Sequence, residues 1–306
     1  MADNVIDLES ARKRTGDYLV RGTAAEGTVR AIAVTARNTV QTANELHHTS
    51  PLVTAALGRL MMGAQMMGAL TKNEGELITL AMSGDGPIGG LTVTANNKGQ
   101  VKGYAKHPNV WLPLNESGKL DVGAGIGTGT LTVIRDLPGS DPYTSTIELA
   151  TGEIGDDLTA YFAISDQIPT SVGVGVLVDT DLSVKQAGGF IVQLMPGYSD
   201  ALVDQLEANL KDVASVTDFL EQGMGPREIL QSVLSGLDFE ELEEMPAEFF
   251  CGCNEERAVR AVISLGEAEL SDLIAKGEPA EVLCHFCGKR YEFPPEVLRE
   301  LLDCAK

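Results

Sequence analysis

The chain has 306 residues, with 23 Lys and Arg against 44 Asp and Glu, giving a formal net charge of −21. That length supports one large domain with a substantial core plus something smaller, and excludes a small scaffold held by disulfides alone. An acidic field of this size repels phosphate backbones, so nucleic-acid binding would need a strong local basic patch, and the sequence has no basic run of that kind.

The first 20 residues, "MADNVIDLESARKRTGDYLV", lack the apolar run of roughly 7–15 residues that follows the basic end of a secretory signal, which makes the cytoplasm the expected compartment. No role is assigned to the tail, residues 1 to about 16. From residue 18 to about 195, short alternating segments dominate: "TVRAIAVTA", "ELITLAMSG", "IGGLTVTANN", "GTLTVIRDL", "YTSTIELA" and "SVGVGVLVD". Their β-branched content and their Gly, Asn and Asp punctuation predict strands and turns. Two helices interrupt them, one near residues 37–47 and one opening at Ser50-Pro51, an N-cap followed by proline at the first helical position. Residues 1–195 thus read as an α+β domain, sheet-rich with packed helices.

The helix after Pro51 carries Leu52, Ala56, Leu60, Met61, Met67 and Leu70 at helical spacing, with Gly58, Gly63 and Gly68 allowing close packing at some cost to the helix. Packing on the sheet is the expectation; an adaptable methionine surface for unrelated partners is the alternative. The longest apolar window, around "LMMGAQMMGAL", is about half of the roughly 20 residues needed to span a bilayer.

After "GGFIVQLMPG" (188–197) the pattern changes to amphipathic helices. Leu202, Leu206, Leu210 and Val213 share a face, and "GPREILQSVLSG" runs from a proline start to a glycine stop. Residues 196–250 hold 13 carboxylates against two cations, and "DFEELEEMPAE" is the densest part. Repulsion there makes any helix marginal by itself and dependent on docking to neighbours, although the charge pattern by itself fits an ordinary solvated helix better; residues 196–250 are taken as an amphipathic, acidic, metastable helical linker.

All five cysteines lie in the last 56 residues. Cys251-Gly-Cys253 is followed after 30 residues by Cys284-His-Phe-Cys287, with Cys304 apart. Two close pairs of soft ligands are what tetrahedral zinc requires. "CHFCGKRYEF" has the form of a knuckle: Gly288 follows the second ligand, and Tyr291 and Phe293 belong to a returning strand. The interval supplies two short helices, "NEERAVRAVISL" and "EAELSDLIAK", divided by Gly266 and closed by Gly277. Residues 251–306 are therefore expected to form a zinc-binding domain near the size below which a staple is usual, with Cys251, Cys253, Cys284 and Cys287 as ligands of one structural Zn²⁺. His285 is left out because four thiolates already fill the shell, and Cys304 reads as a spare thiol.

Such a site is also open to redox chemistry. Coordinated thiolates remain nucleophilic, so an oxidant that takes their electrons removes the ligands and ejects the metal. Oxidation would then unfold the module, and the marginal acidic stretch before it could follow. Two other readings stay in view. "CHFCGKRY" suggests a zinc-ribbon, nucleic-acid-binding or transcription-associated protein, against which Lys289 and Arg290 are few in a module of net charge −4. A metalloenzyme using Glu255 or Glu256 would need an open metal position, which four thiolates close.

The segment "AEFFCGCNEERAVRAVISLGEAELSDLIAKGEPAEVLCHFCGKRYEF", together with "GDGPIGG", "YFAISDQIPTSV" and "GGFIVQLMPG", resembles the redox-regulated chaperones of the heat-shock protein 33 family, in family order over nearly the whole chain. The resemblance implies a non-enzymatic, ATP-independent holdase, inactive while zinc is bound to the four reduced cysteines. It implies that oxidative stress releases zinc, forms disulfides Cys251–Cys253 and Cys284–Cys287, and unfolds the linker. Unfolding client proteins then bind, usually with formation of a homodimer, and later pass to ATP-dependent foldases. No catalytic residue, nucleic acid or membrane is implied. Cys304 departs from some relatives and leaves an extra mixed disulfide open. The helices of 199–236 are the candidate client surface.

Overall fold

The computed structural model describes residues 16–211, 213 and 215–304, apart from the side chains of 303 and 304. Residues 1–15 of the tail and the Cys304 side chain lie outside the described part. The chain divides into two compact units between Phe250 and Cys251.

The first unit opens with β1 (Tyr18–Ala24) and β2 (Val29–Thr35), then α1 (Arg37–His47) and α2 (Pro51–Ala69). Next come β3 (Leu77–Gly84), β4 (Leu91–Asn96), β5 (Gln100–Ala105), the short α3 (Val122–Ile126), β6 (Gly129–Asp136) and β7 (Tyr143–Glu148). Helix α4 (Ile154–Tyr161), β8 (Thr170–Val178) and β9 (Val184–Leu194) follow. The unit closes with α5 (Asp200–Lys211), α6 (Val216–Glu221), α7 (Pro226–Val233), β10 (Glu240–Pro246) and β11 (Glu248–Phe249). Strands pair as a five-stranded antiparallel sheet, β10-β1-β2-β9-β8, and a six-stranded sheet, β11-β5-β4-β3-β6-β7, in which only the β11–β5 pairing is parallel.

Helix α2 is the centre of the core: 17 of its 19 residues are buried, including Met61, Met62, Met66 and Met67. It packs on β3, β4, β5, β8 and β9, so both sheets contribute to its cover. A helix that is apolar all round belongs inside, which decides the methionine question in favour of packing. Its three glycines mark close approaches, since a Cβ would meet Val40 at Gly58, Leu158 at Gly63 and the Asn96 carbonyl at Gly68, each within 2.7 Å.

The five-stranded sheet is buried on both faces. Leu19, Ile32, Val34 and Ile191 face the α2 side, whereas Val20, Val29, Ala31, Ala33, Phe190 and Val192 are covered by Leu206, Leu220, Ile229, Leu230 and Val233 of α5–α7. Two-sided burial explains why β2 and β9, within the sheet, read as nearly continuous apolar runs. The six-stranded sheet buries one face and leaves threonines on the other, with Thr79 paired to Thr94 at 3.0 Å and Thr132 to Thr146 at 2.9 Å. Among the described residues, no helix is long and apolar enough to cross a membrane.

The stretch from 196 to 250 is helical only as far as Val233. Its acidic end is the strand β10, which adds to β1 with Leu19 opposite Met245 and Arg21 opposite Glu243. Two arginines offset the carboxylates: Arg21 pairs with Glu243 at 2.5 Å, and Arg227 of α7 forks onto Glu241 and lies 3.6 Å from Glu244. With the repulsion partly offset by two cations from elsewhere, an extended backbone that completes a ladder is favoured over a helix crowding the same charges.

The second unit contains α8 (Glu255–Ile263), α9 (Glu267–Lys276), a hairpin of β12 (Ala280–Leu283) and β13 (Arg290–Phe293), and α10 (Pro295–Cys304). Asn254 caps α8 by accepting from the Arg257 N–H at 2.9 Å, and Gly277 ends α9 in a left-handed conformation. Its core is small: Ala258, Val262, Leu270, Ala280, Phe293 and Leu298.

Candidate metal centre

The hairpin turn between β12 and β13 and the strand-to-helix passage before α8 build the site. In the turn, the Cys284 N–H donates to the Lys289 carbonyl at 2.9 Å and the Gly288 N–H donates to the Cys284 carbonyl at 2.8 Å. Gly288 has φ +70°, a left-handed conformation that glycine adopts without strain, and this folds Cys287 back beside Cys284. Cys251 and Cys253 arrive in extended chain between β11 and the cap of α8.

These passages bring the four sulfurs within 4.8 Å of one another, and the group does not include His285. The shortest separations cross between the pairs, 3.6 Å for Cys251 to Cys284 and 3.4 Å for Cys253 to Cys287. Four sulfurs about 2.3 Å from a central ion would be roughly 3.8 Å apart, so the cluster already has the dimensions of a tetrahedral shell. The cluster could hold a metal ion.

Tyr291, on β13, donates its hydroxyl to Cys253 Sγ at 3.3 Å. Sequence reading put Tyr291 on the returning strand without linking it to sulfur. The signal was alternation: Tyr291 and Phe293 share a strand face, and Phe293 is in the module core. Lys289 Nζ lies 4.9 Å from the centre of the Tyr291 ring.

Cys251, Cys253 and Cys287 do not ionise alike. Burial pushes the Cys287 thiol up to about 12, helped by the neighbouring sulfurs, and burial also raises Cys251. At Cys253 burial acts in the same direction, but hydrogen bonds from Tyr291 and the other thiols outweigh it and lower the group to about 7. Thiols bind a metal as thiolates, so a bound cation would favour their deprotonation. Metal uptake therefore releases protons and is weakened by acid.

A family model described as Hsp33 protein matches residues 17–294. The 33 kDa chaperonin of Agathobacter rectalis is 49% identical over 285 residues, 93% of this chain and 99% of the relative. That of Bacillus pumilus is 47% identical over 288 residues, 94% of this chain and 98% of the relative. Among solved structures, the crystal structure of the 33 kDa chaperonin (heat shock protein 33 homolog) from Thermotoga maritima matches with a TM-score of 0.86 at 38% identity, covering 94% of this chain and 98% of that one. With the α+β core, the four-cysteine cluster and full-length relatives in agreement, the chain belongs to the Hsp33 protein family.

Proposed function

We propose that the protein is a cytoplasmic, redox-regulated, ATP-independent holdase, with residues 1–195 as its chaperone domain, 196–250 as its metastable linker and 251–306 as its redox switch. The observation that carries this reading is the gathering of Cys251, Cys253, Cys284 and Cys287 into one shell of sulfur donors. An all-thiolate shell suits zinc best among the common divalent ions. Bound there, zinc would join the two ends of the module and supply folding free energy of order 10 kcal/mol or more, large beside what six buried side chains provide.

On oxidation each pair of thiolates gives two electrons to an oxidant of the peroxide class. One S–S bond forms within Cys251–Cys253 and one within Cys284–Cys287, and the shell is lost. The chain running back from Cys251 is β11 and β10, so loss of order in the module reaches the edges of both sheets first. Release of α5–α7 would then bare Val29, Ala31, Phe190 and Val192 on the outer face of the five-stranded sheet, an apolar surface for unfolding client proteins. Homodimer formation on activation and later transfer of clients to ATP-dependent foldases complete the proposal.

The basic residues of the knuckle are engaged within the module: Lys289 lies over Tyr291, and Arg290 is 3.4 Å from Glu281. The reading as a nucleic-acid-binding zinc ribbon gains no support from them. The test is aggregation of a denatured client in the presence of the reduced protein and of protein oxidised by peroxide at mild heat. Suppression by the oxidised form alone is expected, and equal activity of both forms, or of neither, would refute the proposal.

A further inference from the structure

The five-stranded sheet has two edges that differ in kind. Strand β10 carries Glu240, Glu241, Glu243 and Glu244 and ends in Pro246, devices that discourage another strand from pairing. At the opposite edge β8, "TSVGVGVLV", has no charge and no proline, and its valines alternate with Gly173 and Gly175. We propose that this edge of β8 is a docking site for an extended apolar segment of an unfolded protein that carries Lys or Arg at its ends, held by strand addition. The proposal rests on the chaperone reading and gives it a second, separate client site.

Backbone phase supports it. The Leu194 N–H donates to the Pro169 carbonyl at 2.9 Å, which fixes 169 and 194 as a hydrogen-bonded pair. Alternation then assigns Ser171, Gly173, Gly175 and Leu177 to the ladder with β9, and directs the main-chain groups of Val172, Val174 and Val176 away from it. A groove of about 1080 Å³ runs along β8 from Ser171 to Val178, walled by Leu114 and Leu120 and, on the side that release of α5–α7 would open further to an incoming strand, by Leu210 and Val213. Gly155 of α4 keeps it open: a Cβ there would lie 3.3 Å from the Val172 carbonyl oxygen.

Charge selects the occupant. Arg59 in the groove is paired with Glu153 at 2.6 Å. Asp156 adjoins Gly155 near Val172, and Asp179 follows Val178, so a carboxylate stands toward each end of a strand spanning roughly 20 Å, with Lys119 the remaining cation of the lining. Aggregation-prone segments of natural proteins are commonly flanked by charged residues, and those flanked by Lys or Arg match these ends. A second copy of β8 matches poorly, because its own flanks are Asp166 and Asp179. Main-chain hydrogen bonds are indifferent to side-chain identity, which suits capture of unrelated chains.

The test uses the oxidised full-length protein and a labelled peptide of about eight alternating Val and Thr residues with Lys at both ends, matching the span of β8. Bound peptide is expected to slow hydrogen exchange at the Val172, Val174 and Val176 amides. Val174→Pro removes one outward N–H at an edge position where proline is tolerated, and Gly155→Leu covers the Val172 carbonyl. Each should weaken peptide binding about tenfold while leaving the melting temperature within a few degrees, as expected for loss of one main-chain hydrogen bond. Unchanged exchange at the three amides with peptide bound, or wild-type affinity in both variants, would overturn the proposal. Protection that grows with protein concentration without peptide would overturn it in favour of a second copy. Aggregation suppression by the same oxidised sample tests the chaperone reading separately, so failure of one is not mistaken for failure of the other.

Discussion

At Cys253 a neutral donor from the neighbouring strand is aimed at a sulfur, and the Tyr291 hydroxyl has the geometry of a group that orients a metal ligand. Outer partners of this kind typically contribute 10–100-fold to metal affinity. Tyr291→Phe keeps the ring beneath Lys289 and removes only the donor, so zinc affinity measured by chelator competition should fall by at least about tenfold with little change in the helix content of the module. Replacement of Cys284 by Ser should cost far more, because it removes one of the four sulfur donors while leaving the main-chain hydrogen bonds of the turn in place. Limited proteolysis of the reduced variant should then cut first within 251–306 and next within 196–250, while residues 16–195 stay resistant. The four thiols were legible in the sequence because each pair is set by local spacing. The Tyr291 contact was not, since it depends on how the hairpin face lies against a passage 38 residues earlier.

Strand β10 shows how non-local charge decides an element. Its carboxylates repel one another wherever they are placed, and only Arg21 and Arg227, from β1 and α7, make the extended form the better one. Arg227 holds Glu241 below the usual carboxylate range, through their hydrogen bonds first and their opposite charge after burial has acted against it. The ionised form is therefore the one the fold favours. Its contribution is complete above the unfolded carboxylate value and is lost as pH falls through the lowered one. Arg227→Ala should destabilise the first unit by about 1 kcal/mol at neutral pH, the upper end for an exposed pair, and less in acid. Denaturant melts at both pH values check this, with faster exchange at the β10 amides that face β1. Strands β2, β3, β4, β6, β7 and β8 were legible because alternation and turn residues are local. For "EELEEMP" local pattern pointed to a marginal helix, and the counter-charges that override it lie elsewhere in the chain. Helix α2 teaches a related lesson through volume. Gly68→Ala gains up to about 1 kcal/mol of helix propensity but drives a methyl into the Asn96 carbonyl, and overpacking of this kind typically costs 1–3 kcal/mol. A net fall in the midpoint of thermal melting is expected.

On the scale of the whole molecule, two units of unequal size are joined through Phe250 and Cys251. The larger has a buried central helix and two sheets, whereas among the described residues the smaller has a core of six buried apolar residues and a sulfur cluster. At its size a staple commonly adds to the stability of such a unit, and among the described residues the group of four thiols is the candidate. On the proposed reading, the state of those thiols governs whether the second unit is folded. The central claim is that thiol oxidation, metal loss and chaperone activity are one event. A single sample titrated with peroxide at mild heat, in which free thiols, released zinc and suppression of client aggregation are all measured, tests it most directly. The account predicts three coincident transitions as the thiols of both pairs are consumed; activity that appears while zinc is still bound, or zinc loss with no gain of activity, would contradict it.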